Sequence, residues 1–169
     1  MIRDCSVLPP VVNIDPLIRI CLDGPPICWT IPWYHVFRTL IVDDEPIAQR
    51  VLRDELAAYS EIEIVAEAED GVSAVGLIQE LTPDLIFLDL QMPRMRGLDV
   101  IQAVRSTTAT IVVVTACKDG ALSALDAGAA AYLLKPVNPT SLCAILARVR
   151  RQWELQGAAK AIPARPATG

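Results

Sequence analysis

The chain has 169 residues, 53% of them hydrophobic and 21% charged, which suits one domain with a buried core and short appendages and excludes wholesale disorder. Fifteen Lys and Arg against twenty Asp and Glu leave a net charge of −5, so the broad cationic surface needed for non-specific nucleic-acid binding is missing. Five cysteines (Cys5, Cys21, Cys28, Cys117, Cys143) without a CxxC pair, and a single histidine, His35, supply neither a disulfide framework nor a zinc-ligand set.

Residues 1–38 hold six of the thirteen prolines and sustain neither a period of 2 nor one of 3.6, so they stand apart as an extension of undetermined structure. Pro9, Pro10 and Pro16 break the apolar stretches that a secretory leader would keep intact. No apolar run reaches the ~18 residues of a membrane span. The expected setting is cytoplasmic, without membrane contact.

From residue 39 the chain acquires a rhythm. Strands are predicted at 39–42, 62–65, 85–88, 110–115 and 132–134, three of them almost continuously apolar, as strands buried on both faces of a parallel sheet are. Helices are predicted near 46–58, 71–81, 98–105, 119–127 and 139–155. Pro46 suits a first helical turn, Asp70-Gly71 opens the second helix, Gly128 follows the fourth, and Asn138-Pro139 pairs an N-cap with an N1 proline. Five βα units predict a (βα)5 open parallel sheet with helices on both faces, spanning 39–156. That segment carries ten basic and seventeen acidic residues. Residues 157–169, GAAKAIPARPATG, are expected as a disordered tail.

In such a sheet ligands bind beyond the carboxyl ends of the strands. There the sequence places Asp43-Asp44-Glu45, Asp89, Thr115-Ala116 and Lys135-Pro136. Each has an ordinary explanation alone: helix capping for the acidic triplet, turn formation for Asp89, plain composition for Thr115 and Lys135. All of them fall on the one ligand-binding edge, however. Asp43, Asp44 and Asp89 should converge, and carboxylates so close need a cation; an oxygen-only set favours Mg²⁺ or Mn²⁺ over zinc. With Lys135 and the Thr115 hydroxyl added, the predicted pocket suits a phosphoryl group.

The stretches LIVDDEP (40–46), PDLIFLDLQMPRMRGLDV (83–100), IVVVTA (111–116) and GAAAYLLKPV (128–137) together resemble the receiver domains of two-component response regulators. That resemblance covers about residues 39–156 and implies the flavodoxin-like strand order 2-1-3-4-5. It implies that Asp89 is the phosphoacceptor, served by a sensor histidine kinase or a histidine phosphotransfer protein. Mg²⁺ would be held by Asp43, Asp44, Asp89 and the Gln91 backbone carbonyl. Thr115, Ala116 and Lys135 would contact the phosphoryl group, with a cis Lys135-Pro136 peptide. Thr115 and Tyr132 are similar to the family's switch pair, and Gln91 and Cys117 occupy positions that modulate hydrolysis.

The implied readout face comprises the fourth helix, fifth strand and fifth helix, roughly 119–155, which also offers a surface for dimerisation. The family usually begins close to its first strand, so translation in the cell is expected to start near Val36. DDEP-x-A with YLLKPV is also similar to regulators whose output is a LytTR-type DNA-binding domain. Few residues follow the fifth helix here, so output to an unknown downstream protein, without direct DNA binding, is the expectation. A pseudo-receiver scaffold and an aspartate-nucleophile phosphatase are the alternatives. The scaffold is disfavoured because no carboxylate, threonine or lysine is lost. The phosphatase is disfavoured because the nucleophile candidate follows the third strand rather than the first.

Overall fold

A computed structural model describes residues 35–160, with side chains through 155. Most of the 1–38 extension, and the tail from 161 onward, lie outside the described residues. In chain order the elements are β1 (Phe37–Val42), α1 (Pro46–Leu56), β2 (Ile62–Ala68), α2 (Gly71–Leu81), β3 (Leu85–Leu88), α3 (Gly97–Ala103), β4 (Thr110–Thr115), α4 (Lys118–Ala127), β5 (Ala131–Leu134) and α5 (Pro139–Lys160). All neighbouring strands pair in parallel, in the order β2-β1-β3-β4-β5.

Side chains of period 2 divide each inner strand between two cores. Leu40, Val42, Ile86, Leu88, Ile111 and Val113 face Ala74 and Ile78 of α2, Val100 and Ile101 of α3 and Ala124 of α4. Ile41, Leu85, Phe87, Val112, Val114 and Leu133 face the opposite way, onto Leu52 and Leu56 of α1 and Leu142, Leu146 and Val149 of α5. Burying each of the larger of these side chains, the valines, leucines, isoleucines and phenylalanine, is worth about 1.5–3 kcal/mol, so the two layers fix the strand ends firmly.

The local signals act as their chemistry requires. The Asp70 carboxylate accepts the Val72 and Ser73 amides at 2.9 and 3.0 Å and caps α2. Asn138 Oδ1 accepts the Thr140 amide at 2.8 Å and caps α5. Gly128 closes α4 at φ 118°, where a side chain would be strained.

Several boundaries differ from the sequence expectation. β1 starts two residues early, at Phe37, and β2 runs on to Ala68. Ala66-Glu67-Ala68 has weak strand propensity, yet pairing with Leu40, Ile41 and Val42 overrides it. A register shift opposite Thr39 and Leu40 leaves Val65 as the extra residue of an edge-strand bulge. The fifth helix continues to Lys160, through two alanines that favour helix. His35, just ahead of β1, stacks on Trp153 of α5 with ring centroids 4.0 Å apart, and its Nε2 lies 3.2 Å from Asp84.

Candidate functional site

β1 and β3 are adjacent and in register, Val42 opposite Leu88, so the residue after each strand reaches the same edge. The two turns are built alike. Glu45 donates its amide to Asp43 Oδ1 at 3.0 Å, and Gln91 donates its amide to Asp89 Oδ1 at 3.3 Å. Each aspartate thus folds its own turn with one oxygen and leaves the other for the pocket. Asp43 and Asp89 are each only 4% exposed, and Asp44 is half-buried. Ligand oxygens of all three lie within 4.8 Å of one another.

Lys135 enters from the end of β5, where its amide donates to the Thr115 carbonyl at 2.9 Å and its bond to Pro136 is cis. Its Nζ lies 2.8 Å from Asp43 Oδ2, 2.9 Å from Asp89 Oδ2 and 3.3 Å from Glu45 Oε2. Burial drags on the ammonium, but hydrogen bonds to Asp43 and Asp89 and their charges outweigh it, so its pKa stands above the ordinary value. Burial likewise pushes the Asp43 carboxyl above the usual carboxylate value; the Lys135 bond and the Glu45 amide offset this only in part. Three aspartates against one lysine leave a surplus of negative charge in a sheltered place.

That arrangement fits a hard divalent cation. The donors are all oxygens and lie within 4.8 Å of one another, close enough for one ion to be shared among them. A cavity of about 490 Å³ opens alongside, with Asp43, Asp44, Glu45 and Lys135 in its lining and the apolar Ile47, Val51 and Val137 beside them.

Of the residues singled out from the sequence, Asp43, Asp44, Asp89 and Lys135 come together directly. Thr115 ends β4 fully buried, with its Oγ1 accepting the Cys117 amide at 3.2 Å. Ala116 is exposed after it, and Cys117 is half-buried at the N-cap of α4. The Gln91 side chain is exposed. Tyr132 sits on β5 opposite Val113 and is 39% exposed.

Three further residues belong to the site. Glu45 occupies the N-cap position of α1 but makes no side-chain capping bond, and its carboxylate turns to Lys135 instead. Capping therefore does not explain the acidic triplet. Gly97 packs so tightly that an ideal Cβ would collide with the Asp89 carbonyl oxygen and lie 2.8 Å from Leu90 Cα. Gln49 is buried on α1 behind the Asp43 turn. The DDE triplet and the D-x-x-M-P-x-x-x-G spacing contain the first two; nothing in the pattern marks the third.

A family model described as the response regulator receiver domain matches residues 39–147. The transcriptional regulatory protein BtsR of Escherichia coli K12 is 40% identical over 122 residues, which cover 72% of this chain and 51% of that protein. The REC domain of AraT, a response regulator from Geobacillus stearothermophilus, superposes with a TM-score of 0.66 at 33% identity, covering 72% of this chain and 98% of that one. A Salmonella typhimurium RcsB response regulator, solved in a study of conformational dynamism for DNA interaction, matches with a TM-score of 0.62 at 27% identity, covering 69% and 59%.

The chain spans about half the length of the curated relatives it matches. This corrects the expectation of no direct DNA binding, since BtsR is a transcriptional regulatory protein and the RcsB structure concerns DNA interaction. The acidic net charge that argued against such contact belongs to the matched receiver region. It says nothing of the part of those relatives that lies outside the match.

Proposed function

Because the chain belongs to the response regulator receiver domain family, we propose that Asp89 is its phosphoacceptor, charged by a histidine kinase or a histidine phosphotransfer protein. The reading rests on one observation: Asp89 Oδ2 lies 2.9 Å from a lysine shared with Asp43, inside a cluster of three aspartates. A carboxylate oxygen of Asp89 attacks phosphorus, the P–N bond to the donor imidazole breaks, and its electron pair stays on the imidazole nitrogen. Mg²⁺, held by Asp43, Asp44, Asp89 and the Gln91 carbonyl, would offset charge on the phosphoryl oxygens.

This chain's residues do the positioning. The Gln91 amide fixes one Asp89 oxygen so that the other faces the donor. Lys135 exchanges its carboxylate partners for the incoming oxygens, and the Thr115 hydroxyl and the exposed Ala116 line the phosphoryl side. Phosphorylation replaces one negative charge at Asp89 with about two, a change that moving Thr115 and turning Tyr132 inward would carry to the face formed by α4, β5 and α5. A transcriptional output, as in BtsR, is the reading we adopt for that face, in a cytoplasmic setting consistent with the absence of a membrane-length apolar helix among the described residues.

The test is incubation with Mg²⁺ and a small acyl phosphate, for wild type and Asp89→Asn. Stable label near one per chain, absent from Asp89→Asn, supports the switch. Continuous phosphate release would mark the phosphatase, and no label in wild type would mark the scaffold.

A further inference from the structure

α1 turns residues 49, 52 and 56 toward the sheet, and all three are buried. Two are leucines. The first is Gln49, 6% exposed, an amide where the helix pattern calls for an apolar side chain. Its Nε2 donates to the Asp43 carbonyl at 2.7 Å and to the Ala68 carbonyl at 3.0 Å. Ala68 also accepts the Asp43 amide at 3.1 Å. The end of β1, the end of β2 and the first turn of α1 therefore meet at a single side-chain amide.

We propose that Gln49 is a positioning residue for the cation site, holding the Asp43-Asp44 turn in the geometry that presents both carboxylates; the inference rests on the phosphoacceptor reading. The bond it makes is to the peptide that joins Asp43 to Asp44. An apolar residue at position 49 would leave the Asp43 carbonyl buried without its donor, and the turn would rotate to seek another. Asp44 follows directly and would move with that rotation. No other described side chain donates to the Asp43 carbonyl among the hydrogen bonds of the site. Supporting partners of metal ligands typically contribute 10–100-fold to metal affinity when removed.

The experiment compares wild type, Gln49→Leu and Leu56→Val. Leucine fits the apolar face of α1, so the first variant keeps its fold; the second perturbs the same face away from the site. Calorimetric titration with MgCl₂, without phosphodonor, gives the affinity. Label from a small acyl phosphate as a function of Mg²⁺ gives the half-saturating concentration and the plateau.

Gln49→Leu should bind Mg²⁺ at least about 10-fold more weakly, with its half-saturating concentration shifted by the same factor and its plateau largely recovered. Leu56→Val should leave the Mg²⁺ affinity unchanged. Equal affinity in wild type and Gln49→Leu overturns the proposal, as does an equal loss in both variants, which would mean simple destabilisation. Failure of wild type to bind Mg²⁺ or take label would sink the phosphoacceptor reading instead.

Discussion

Replacing Gly97 with alanine adds one methyl group at the first residue of α3. By helix propensity alone the change should stabilise, by roughly 0.5–1 kcal/mol. The surroundings dictate the reverse. The new carbon would overlap the Asp89 carbonyl oxygen and lie 2.8 Å from Leu90 Cα and 3.0 Å from Leu90 Cδ2. Carbon atoms rest about 3.5–4.0 Å apart, so the backbone of residues 89–90 or the start of α3 must move by nearly ~1 Å. Overpacking of this kind costs about 1–3 kcal/mol, or a Tm lowered by roughly 4–12 °C for a domain of this size. Displacing Asp89 by ~1 Å should also slow phosphorylation by about 100-fold.

Gly76 supplies the opposite case, since an added Cβ in α2 meets nothing within 4 Å. Gly76→Ala should therefore raise stability by about 0.5–1 kcal/mol and leave labelling alone. Thermal melts and acyl-phosphate labelling of both variants decide the matter. A Gly97→Ala protein as stable and as quickly labelled as wild type would refute the packing argument.

Two other outcomes follow from local chemistry. The Ser73 amide and hydroxyl, with the Val72 amide and Arg94, hold the Asp70 carboxyl below its ordinary value of 3.8. A lowered folded pKa stabilises above the unfolded value and is lost as pH falls through the folded one. Asp70→Asn should thus be less stable than wild type near neutrality, with the gap narrowing in denaturation curves as pH drops below about 3.8; a gap independent of pH would exclude this linkage. Two residues beyond Thr115, Cys117 is short and half-buried at the start of α4 and should hold an attacking water poorly. Cys117→Glu or Cys117→Asn should shorten the lifetime of the phosphorylated form, and an unchanged decay of the label would discard the idea.

Much of this molecule can be read from its residues because its signals are local. Leu85–Leu88 declares a doubly covered strand by being wholly apolar, and Asp70, Gly128 and Asn138 mark helix ends through bonds within a few residues of themselves. The carboxylates were legible since strand ends in a parallel sheet share one edge. What escaped depends on partners distant in sequence. Ala66 to Ala68 become strand only through β1, and Glu45 finds its partner 90 residues away, at Lys135. Gln49 reaches 19 residues along the chain, to Ala68, and a buried glutamine has no pattern of its own to announce it. The DNA question escaped for another reason: charge counts describe only the chain that is counted.

The strand order has a mechanical consequence. Asp89 hangs from β3, the middle strand, clamped by β1 and β4, whereas Lys135 and Tyr132 ride on β5, which has a strand neighbour on one side only. The aspartate sits on an anvil and the lysine on a lever. If Asp89 takes the phosphoryl group as proposed, the strand free to respond is the one at the rim, where another protein surface could sense the change without entering the pocket.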